Sequence, residues 1–274
     1  MKIICSVLTI ISIAISQAVA ADHPGIVDPL STTSLYLTSK TNETTLATAT
    51  GFIVAHKGKY YLVTNRHVVS GRDSERDQVI HPSGSVPNQL MIWHHGKRLG
   101  TRVARIESLY LTNGAPRWIE HSLGSKVDVV ALLIQKNDPD MELYPFDLNL
   151  ADTDMAVEVA MPVSIIGFPL GLTGPENFPI WKTGHLASDP DIDFEAKPRF
   201  LIDATTRGGM SGSPVVLRVY GSHLSHSGDE IVTPGTFTKF LGVYSAQNYG
   251  MEIGQVWRPS VIRDILNRAE GKAP

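Results

Sequence analysis

The feature that most limits the fold of this chain is a succession of short segments rich in β-branched and aromatic residues. About twelve such segments occur, for example at residues 45–55, 59–64 and 127–135. Turn residues such as the His-Lys-Gly at residues 56–58 separate them, and no apolar repeat at helical spacing runs through them. This pattern predicts an all-β chain built as two barrels or as a sandwich.

Residues 259–274 contain the one segment that resembles a helix. Ser260 is a suitable cap, apolar residues recur at helical spacing over residues 261–266, and Gly271 can end the helix. Two other stretches, residues 71–89 and 221–236, are polar and contain proline or glycine. We expect both to be surface insertions, and their sequences do not indicate a role.

The first 20 residues have the organisation of an export signal. Lys2 precedes an apolar run at residues 3–15, and the Ala-Val-Ala at residues 18–20 matches a cleavage site. The run is too short for a membrane span, so we expect residues 1–20 to be removed, with no stable membrane association afterwards. An uncleaved anchor is the alternative. The expected location is the periplasm or the outside of the cell.

Charge and cysteine content exclude several classes of partner and cofactor. Loss of Lys2 with the signal leaves 23 basic and 27 acidic residues, a formal charge of −4, which argues against a nucleic-acid partner. The one cysteine, Cys5, lies in the signal, so the mature chain has no disulfide. There is no His-Glu-x-x-His motif, and His223 and His226 lie in a predicted loop. We therefore expect no metal and no other cofactor.

A Gly-Gly-Met-Ser-Gly-Ser-Pro segment at residues 208–214 places a serine where it can act as a nucleophile. Gly208 and Gly209 lack a Cβ, which permits a turn that directs the Gly209 and Ser211 N–H groups to one point. Such convergent donors stabilise the oxyanion of acyl transfer. A cluster of Gly, Ser and Pro is also typical of an ordinary turn, so Ser211 needs a base and an acid from elsewhere in the chain.

His67 and Asp128 are the candidates for base and acid. His67 follows the apolar strand at residues 59–64, and Asp128 stands at the head of a run that should be buried. A buried carboxylate needs hydrogen-bond donors or a positive partner. Taken singly, His67 could be a structural histidine and Asp128 a strand-edge residue that faces water. Along the chain the order is His67, Asp128 and Ser211, which differs from the order of the catalytic residues in subtilisins and in α/β-hydrolases.

These motifs together resemble the chymotrypsin-like serine peptidases. The matching blocks are Thr-Asn-Arg-His-Val-Val at residues 64–69, Asp-Val-Val-Ala-Leu-Leu at residues 128–133 and Gly-Met-Ser-Gly-Ser-Pro at residues 209–214. The resemblance spans residues 45–258 and is closest to the cysteine-free bacterial branch that contains glutamyl endopeptidases and Deg/HtrA proteases. It implies two six-stranded antiparallel barrels, residues 21–140 and 141–258, with the helix of residues 259–274 packed on them.

The resemblance also implies a role for each site residue. Ser211 would attack the peptide carbonyl, His67 would take and return the proton, and Asp128 would orient the imidazole ring. The amides of Gly209 and Ser211 would form the oxyanion hole. Ser245 matches the family position that supports the aspartate, in a strand that pairs with an extended substrate.

The positions implied to contact substrate are Thr205, Thr206, Tyr244, Ser245 and Gln247. Thr205 stands where trypsin has an acid, so cleavage after Lys or Arg is not expected. Thr206 fits the glutamyl-peptidase pattern, but Tyr244 replaces the histidine that holds the substrate carboxylate in those enzymes. Glutamate specificity is therefore not implied.

These observations lead to one hypothesis and one alternative. The hypothesis is an exported serine endopeptidase that cleaves polypeptides through an acyl-enzyme intermediate. The alternative is a catalytically latent homologue that binds a peptide or a partner protein, because fold does not fix function. The oxyanion glycines favour catalysis, since a pure binding protein does not need them. The sequence indicates neither the natural substrate nor the oligomeric state.

Overall fold

The computed structural model describes residues 27–136, 138–246 and 252–271, so the predicted export signal at residues 1–20 lies outside it. The described chain forms fourteen β-strands and two α-helices, with a few short 3₁₀ turns. The strands belong to two sheets, one open and one closed into a barrel.

The first sheet contains eight strands, and each neighbouring pair is antiparallel. The strands are β1 (Ser34–Thr41), β2 (Thr44–His56), β3 (Lys59–Thr64), β4 (Gln89–Gly96), β5 (Arg102–Ser108), β6 (Trp118–Glu120), β7 (Val130–Ile134) and β8 (Met141–Glu142). Their order is β5-β4-β1-β2-β3-β7-β6, with β8 paired to β4. The sheet curves around a core that includes Leu37, Ile53, Leu62 and Ile92, all fully buried. A short helix, α1 (Arg66–Ser70), follows β3 directly.

The second sheet is a closed six-stranded barrel in the order β10-β11-β14-β13-β12-β9. Its strands are β9 (Pro162–Gly167), β10 (Ile180–Leu186), β11 (Arg199–Asp203), β12 (Pro214–Leu224), β13 (Glu230–Ala246) and β14 (Ile253–Trp257). The C-terminal helix α2 (Pro259–Glu270) buries Ile262 and Ile265 in the same cluster as Phe52 of the first sheet and Phe240 of the barrel. The helix therefore fastens the two sheets together through apolar contacts.

The predicted all-β class with a short C-terminal helix is confirmed, and the second barrel has the six strands expected. The first unit is a half-barrel of eight strands instead of a closed barrel of six. The turn at residues 109–117 lies between its edge strands β5 and β6, and there the Arg117 N–H donates to the Leu109 carbonyl at 3.0 Å. Tyr110 and Pro116 form a single antiparallel bridge in this turn, and the Pro116 nitrogen has no hydrogen to donate, so the pairing does not extend into a ladder. The division at residues 140 and 141 stays a prediction.

Two local expectations need correction. Residues 221–236 are not a loop but the outer half of a hairpin, because β12 and β13 continue to pair as far as Leu224 and Glu230. The α2 helix begins at Pro259, whose fixed φ suits the first helical position, so Ser260 lies inside the helix and does not cap it.

Two adjacent histidines are buried in β4. His94 and His95 are 1% and 4% exposed. Burial lowers the pKa of His94 to about 4, and the charges of His95 and Arg105 act in the same direction. Burial, with the charge of Arg102, likewise lowers the pKa of His95 to about 4. Folding therefore favours the neutral form of both rings.

We expect acid to destabilise the fold through these two residues. Because their folded-state pKa values lie below the ordinary value, the stabilisation is complete above about pH 6.5 and is lost as the pH falls towards 4. Each histidine should cost about 2 kcal/mol of unfolding free energy between pH 7 and pH 5. Urea unfolding at these two pH values should show a smaller difference for His95→Phe than for the wild type. The exposed His226→Gln serves as the control, and an unchanged pH dependence in His95→Phe would contradict the assignment.

Candidate active site

His67 and Asp128 are adjacent because β3 and β7 are paired. The last residue of β3, Thr64, lies opposite Val130 in the antiparallel register. His67 follows β3 by three residues, in the first turn of α1, and Asp128 precedes β7. The Asn65 side chain joins the two segments, since its Nδ2 donates to the Asp128 carbonyl at 2.7 Å.

The Asp128 carboxylate is almost completely buried and accepts three hydrogen bonds. Its Oδ2 lies 2.7 Å from His67 Nδ1, and its Oδ1 accepts the His67 backbone N–H at 2.9 Å. Ser245 Oγ, from β13 of the second barrel, donates to Oδ2 at 2.6 Å. These donors replace the water that a buried charge has lost. Because Nδ1 donates to the carboxylate, Nε2 is the ring nitrogen that can accept a proton.

The two groups shift each other's pKa in opposite directions. Burial alone would lower the pKa of His67, but the charge of Asp128, their hydrogen bond and the charge of Asp73 raise it overall. Burial would likewise raise the pKa of Asp128, but the His67 charge and the bonds from His67 and Ser245 lower it. The pair therefore favours an ionised carboxylate beside a ring that accepts a proton more readily than an isolated histidine.

Ser211 is connected to this pair by hydrogen bonds from β2. The Thr50 N–H donates to the Ser211 carbonyl at 2.9 Å. Thr64 Oγ1, three residues before His67, donates to the Thr50 carbonyl at 2.8 Å. In the residues that the structure describes, Ser211 Oγ forms no hydrogen bond to His67. Catalytic hydrogen bonds of this type often tighten only when substrate is bound.

A second connection to Ser211 comes from β13. The Gly212 N–H donates to the Tyr244 carbonyl at 2.9 Å, and the Tyr244 N–H donates to the Ser213 carbonyl at 2.8 Å. Ser245, the next residue, is the one that donates to Asp128. The sequence-predicted residues His67, Asp128, Ser211 and Ser245 are thus brought to one place between the two sheets.

The peptide groups on both sides of Gly209 are held in fixed orientations. Gly209 has a φ of +95°, and an added Cβ would lie 2.3 Å from the Phe168 carbonyl oxygen, so only glycine fits. The Gly208 carbonyl accepts the Leu170 N–H at 2.6 Å, and the Gly209 carbonyl accepts Thr50 Oγ1 at 2.7 Å. Because the C=O and N–H of a trans peptide point in opposite directions, the Gly209 N–H points away from Leu170.

Hydroxyl groups at the other predicted substrate positions are already engaged within the protein. Thr206 is hydrogen-bonded to the hydroxyl of Tyr244, which is 1% exposed, and Thr205 is hydrogen-bonded to the carboxylate of Glu252. Gln247, the remaining predicted position, lies outside the described residues.

Sequence reasoning missed the role of Thr50. This residue is fully buried in β2 and bonds to three parts of the site: the Ser211 carbonyl, the Gly209 carbonyl and the Phe168 N–H, which it accepts at 3.1 Å. One sequence feature could have indicated it: Thr50 is a polar residue at the start of the apolar part of β2, so its buried hydroxyl needs a hydrogen-bond partner.

The described ranges contain no group of His, Cys, Asp and Glu side chains arranged to hold a metal ion. Over the same ranges, neither α-helix has the length and apolar character that a membrane span needs.

Comparison with known proteins adds a family to this geometry. A family model of the trypsin-like peptidase domain matches residues 49–222, a span that contains His67, Asp128 and Ser211. The thermostable serine protease AL20 from an extremophilic microorganism is similar in structure, with a TM-score of 0.51 and 13% identity, over 90% of this chain and 100% of that one. At this identity the similarity shows the fold alone.

Two further crystal structures match with lower TM-scores. A serine-to-alanine mutant of Rv3671c from M. tuberculosis H37Rv, in an inactive form, has 17% identity and a TM-score of 0.47, over 89% of this chain and 90% of that one. The serine endoprotease from Yersinia pestis has 14% identity and a TM-score of 0.48, over 88% of this chain and 64% of that one. A comparison with curated proteins found no match.

Proposed function

The chain belongs to the trypsin-like peptidase family and is therefore a serine endopeptidase, and we propose that it works through a triad of His67, Asp128 and Ser211. The observation that carries this proposal is the buried Asp128 carboxylate, bonded to both the ring and the backbone of His67. A carboxylate in this position keeps the imidazole in the tautomer and orientation that a general base requires.

The proposed reaction begins with acylation. Ser211 Oγ attacks the carbonyl carbon of the scissile peptide while its proton passes to His67 Nε2. The Gly209 and Ser211 N–H groups donate to the oxygen that becomes negative. General-base transfer contributes about 10²-fold to 10⁴-fold in rate, and one oxyanion donor about 10²-fold to 10³-fold, so both parts are needed.

The second half of the reaction releases both products. His67 returns the proton to the leaving nitrogen as the C–N bond breaks, which leaves the acyl group on Ser211. A water molecule, deprotonated by His67, then attacks the ester carbonyl, and Ser211 Oγ leaves and regains a proton. The substrates are polypeptides, and no cofactor takes part in these steps.

Trapping of the acyl-enzyme tests this proposal. Mixing the mature protein with an excess of an activated ester, followed by an acid quench, should show one acyl group per chain on Ser211 by intact mass and peptide mapping. His67→Ala, which lacks the base, should show much slower acylation. Hydrolysis at an unchanged rate by Ser211→Ala, or an acyl group on another residue, would contradict the mechanism. Neither hydrolysis nor acylation by a well-folded protein would favour the latent, partner-binding alternative.

We also propose that the protein is exported to the periplasm or beyond. The support is the basic start at Lys2, the apolar run at residues 3–15 and the small residues at 18–20. N-terminal sequencing of the protein recovered outside the cytoplasm should begin at Ala21. Recovery with residues 1–20 still attached would contradict cleavage.

A further inference from the structure

An open cavity of about 260 Å³ lies beside His67 on the first sheet. Its walls come from β1, β2, α1 and residues 71–89, and they are mostly apolar. The apolar side chains that line it include Leu46, Ala47, Ala49, Val68, Ile80 and Pro87. Residues 71–89 are the polar insertion for which the sequence indicated no role.

The cavity is close to the reacting groups but lies on one side of them. Ala49 precedes Thr50, whose N–H holds the Ser211 carbonyl, and Val68 follows His67. All the lining residues belong to the first sheet and its connections, whereas Ser211 and Ser245 belong to the second half of the chain. A peptide that enters the site from the side of the second barrel therefore reaches Ser211 first and the cavity beside His67 afterwards.

The chemistry of the proposed function, on which this inference rests, decides which part of a substrate lies there. His67 must give its proton to the nitrogen of the leaving fragment, so that nitrogen lies against the His67 ring. The first side chain of the leaving fragment is attached one atom beyond this nitrogen. We propose that the cavity binds the side chain of the substrate residue that follows the cleaved bond, and that it selects an apolar one.

Size and polarity both fit one apolar side chain. An apolar protein cavity of about 150 Å³ holds a benzene molecule, so the present volume has room for Leu, Met or Phe. The polar side chains of the lining are those of Ser39, Thr48, His67, His81 and Ser85, and the described lining residues include no Lys, Arg, Asp or Glu. A charged side chain would therefore lose water against mostly apolar walls without an oppositely charged partner, at a cost in free energy. Burial of one such apolar side chain corresponds to a preference of about 10-fold to 100-fold.

The outer wall of the cavity is fixed to the second barrel. Glu75, within residues 71–89, accepts two hydrogen bonds from Lys197 Nζ at 2.7 Å each and one from Arg199 Nη1 at 3.1 Å. Arg199 is fully buried in the barrel. The insertion therefore bridges the two sheets on the side of the site where the leaving fragment would lie.

The same insertion is fixed to the helix that carries His67. The Gly71 N–H donates to the His67 carbonyl at 2.9 Å, and the Ile80 N–H donates to the Gly71 carbonyl at 2.9 Å. Gly71 has a φ of +65°, and an added Cβ would lie 2.5 Å from the Pro87 ring. These contacts hold Ile80 and Pro87 at a set distance from the catalytic histidine, as a specificity pocket requires.

Cleavage of a proteome-derived peptide library, with the cut sites identified by mass spectrometry, tests the inference. The residue after the cut should be Leu, Met, Ile or Phe about 10 to 100 times more often than Asp or Lys, relative to their abundance in the library. Ile80→Lys places a cation on the wall and should reduce this preference at least about 10-fold. The matched control is Ile106→Lys on β5, because Ile106 and Ile80 are both 53% exposed and only Ile80 lines the cavity.

A second variant and a second probe distinguish the possible failures. Ala47→Trp should fill the cavity and favour Gly or Ala after the cut, which keeps the inference testable if Ile80→Lys does not fold. Labelling of each protein with a fluorophosphonate reports on the activation of Ser211 alone, because this reagent carries no amino-acid residue that would enter the cavity. Labelling with no apolar preference in the wild type, or with the same preference in both cavity variants, would overturn the inference alone. Absence of labelling would overturn the proposed function and the role of the cavity with it.

Discussion

Replacement of Ser211 by alanine should reduce kcat/KM for a peptide substrate by about 10⁴-fold to 10⁶-fold. The substitution removes the nucleophile, and the remaining oxyanion donors and substrate binding retain about 10³-fold to 10⁴-fold acceleration over water. The fold should be unaffected, because the Ser211 hydroxyl has no hydrogen-bond partner within the described ranges. The measurement is steady-state hydrolysis of a quenched peptide, together with urea unfolding of both proteins.

Ser213→Ala is the matched control for this variant. It makes the same change two residues away in the same motif, at a fully buried hydroxyl for which the described part of the chain offers no hydrogen-bond partner. Activity close to that of the wild type is expected for Ser213→Ala. Wild-type turnover by a purified Ser211→Ala sample, free of contaminating protease, would rule out Ser211 as the nucleophile.

Replacement of Asp128 by asparagine should reduce kcat by about 10⁴-fold. A carboxamide whose NH₂ points towards His67 donates a hydrogen bond to Nδ1 and cannot accept one from it. The ring would therefore carry its proton on Nε2, which could then no longer act as the base. The substitution also removes the negative charge that raises the pKa of His67. The acid limb of the pH profile of kcat/KM, which reports protonation of the base, should therefore move to lower pH.

Ser245→Ala provides the comparison for this effect. It removes one of the hydrogen bonds to Asp128 but keeps the carboxylate and its bonds to His67. A loss of at most about 100-fold is expected, since a hydrogen bond to a charged group contributes about 1.5–3 kcal/mol. Equal losses in the two variants would indicate a general disturbance of the site, and the assigned role of Asp128 would then be wrong.

His67 and Asp128 could be predicted from the sequence because each lies in a recognisable local setting. Asp128 heads a buried strand and His67 follows one, and a buried carboxylate must find a partner within reach. Ser245 could be added to the predicted site because its segment resembles the family strand that supports the aspartate. The position of Thr50 in an apolar strand indicates that it needs a buried partner, but the partner could not be predicted, because the bond to the Gly209 carbonyl joins residues 159 positions apart. A threonine in a strand has the same sequence pattern whether its hydroxyl bonds to a neighbour or to a distant loop.

The parts of the fold that escaped prediction have weak sequence patterns for physical reasons. The strands β6 and β8 contain three and two residues, too few for an alternation to appear. The outer hairpin at residues 221–236 extends beyond the barrel core, where exposed residues such as Val232 leave no apolar face to read from the sequence. The wall formed by residues 71–89 depends on Glu75 and its partners in the barrel, which no local pattern specifies.

The most direct test of the central claim is the intact mass of the mature protein and of Ser211→Ala after treatment with a fluorophosphonate. These reagents react with a serine only when a base and an oxyanion hole activate it. The proposed triad and oxyanion hole predict one adduct per wild-type chain, located on Ser211, and none on the variant. A well-folded wild-type protein with no adduct, or equal labelling of both proteins, would contradict an activated Ser211.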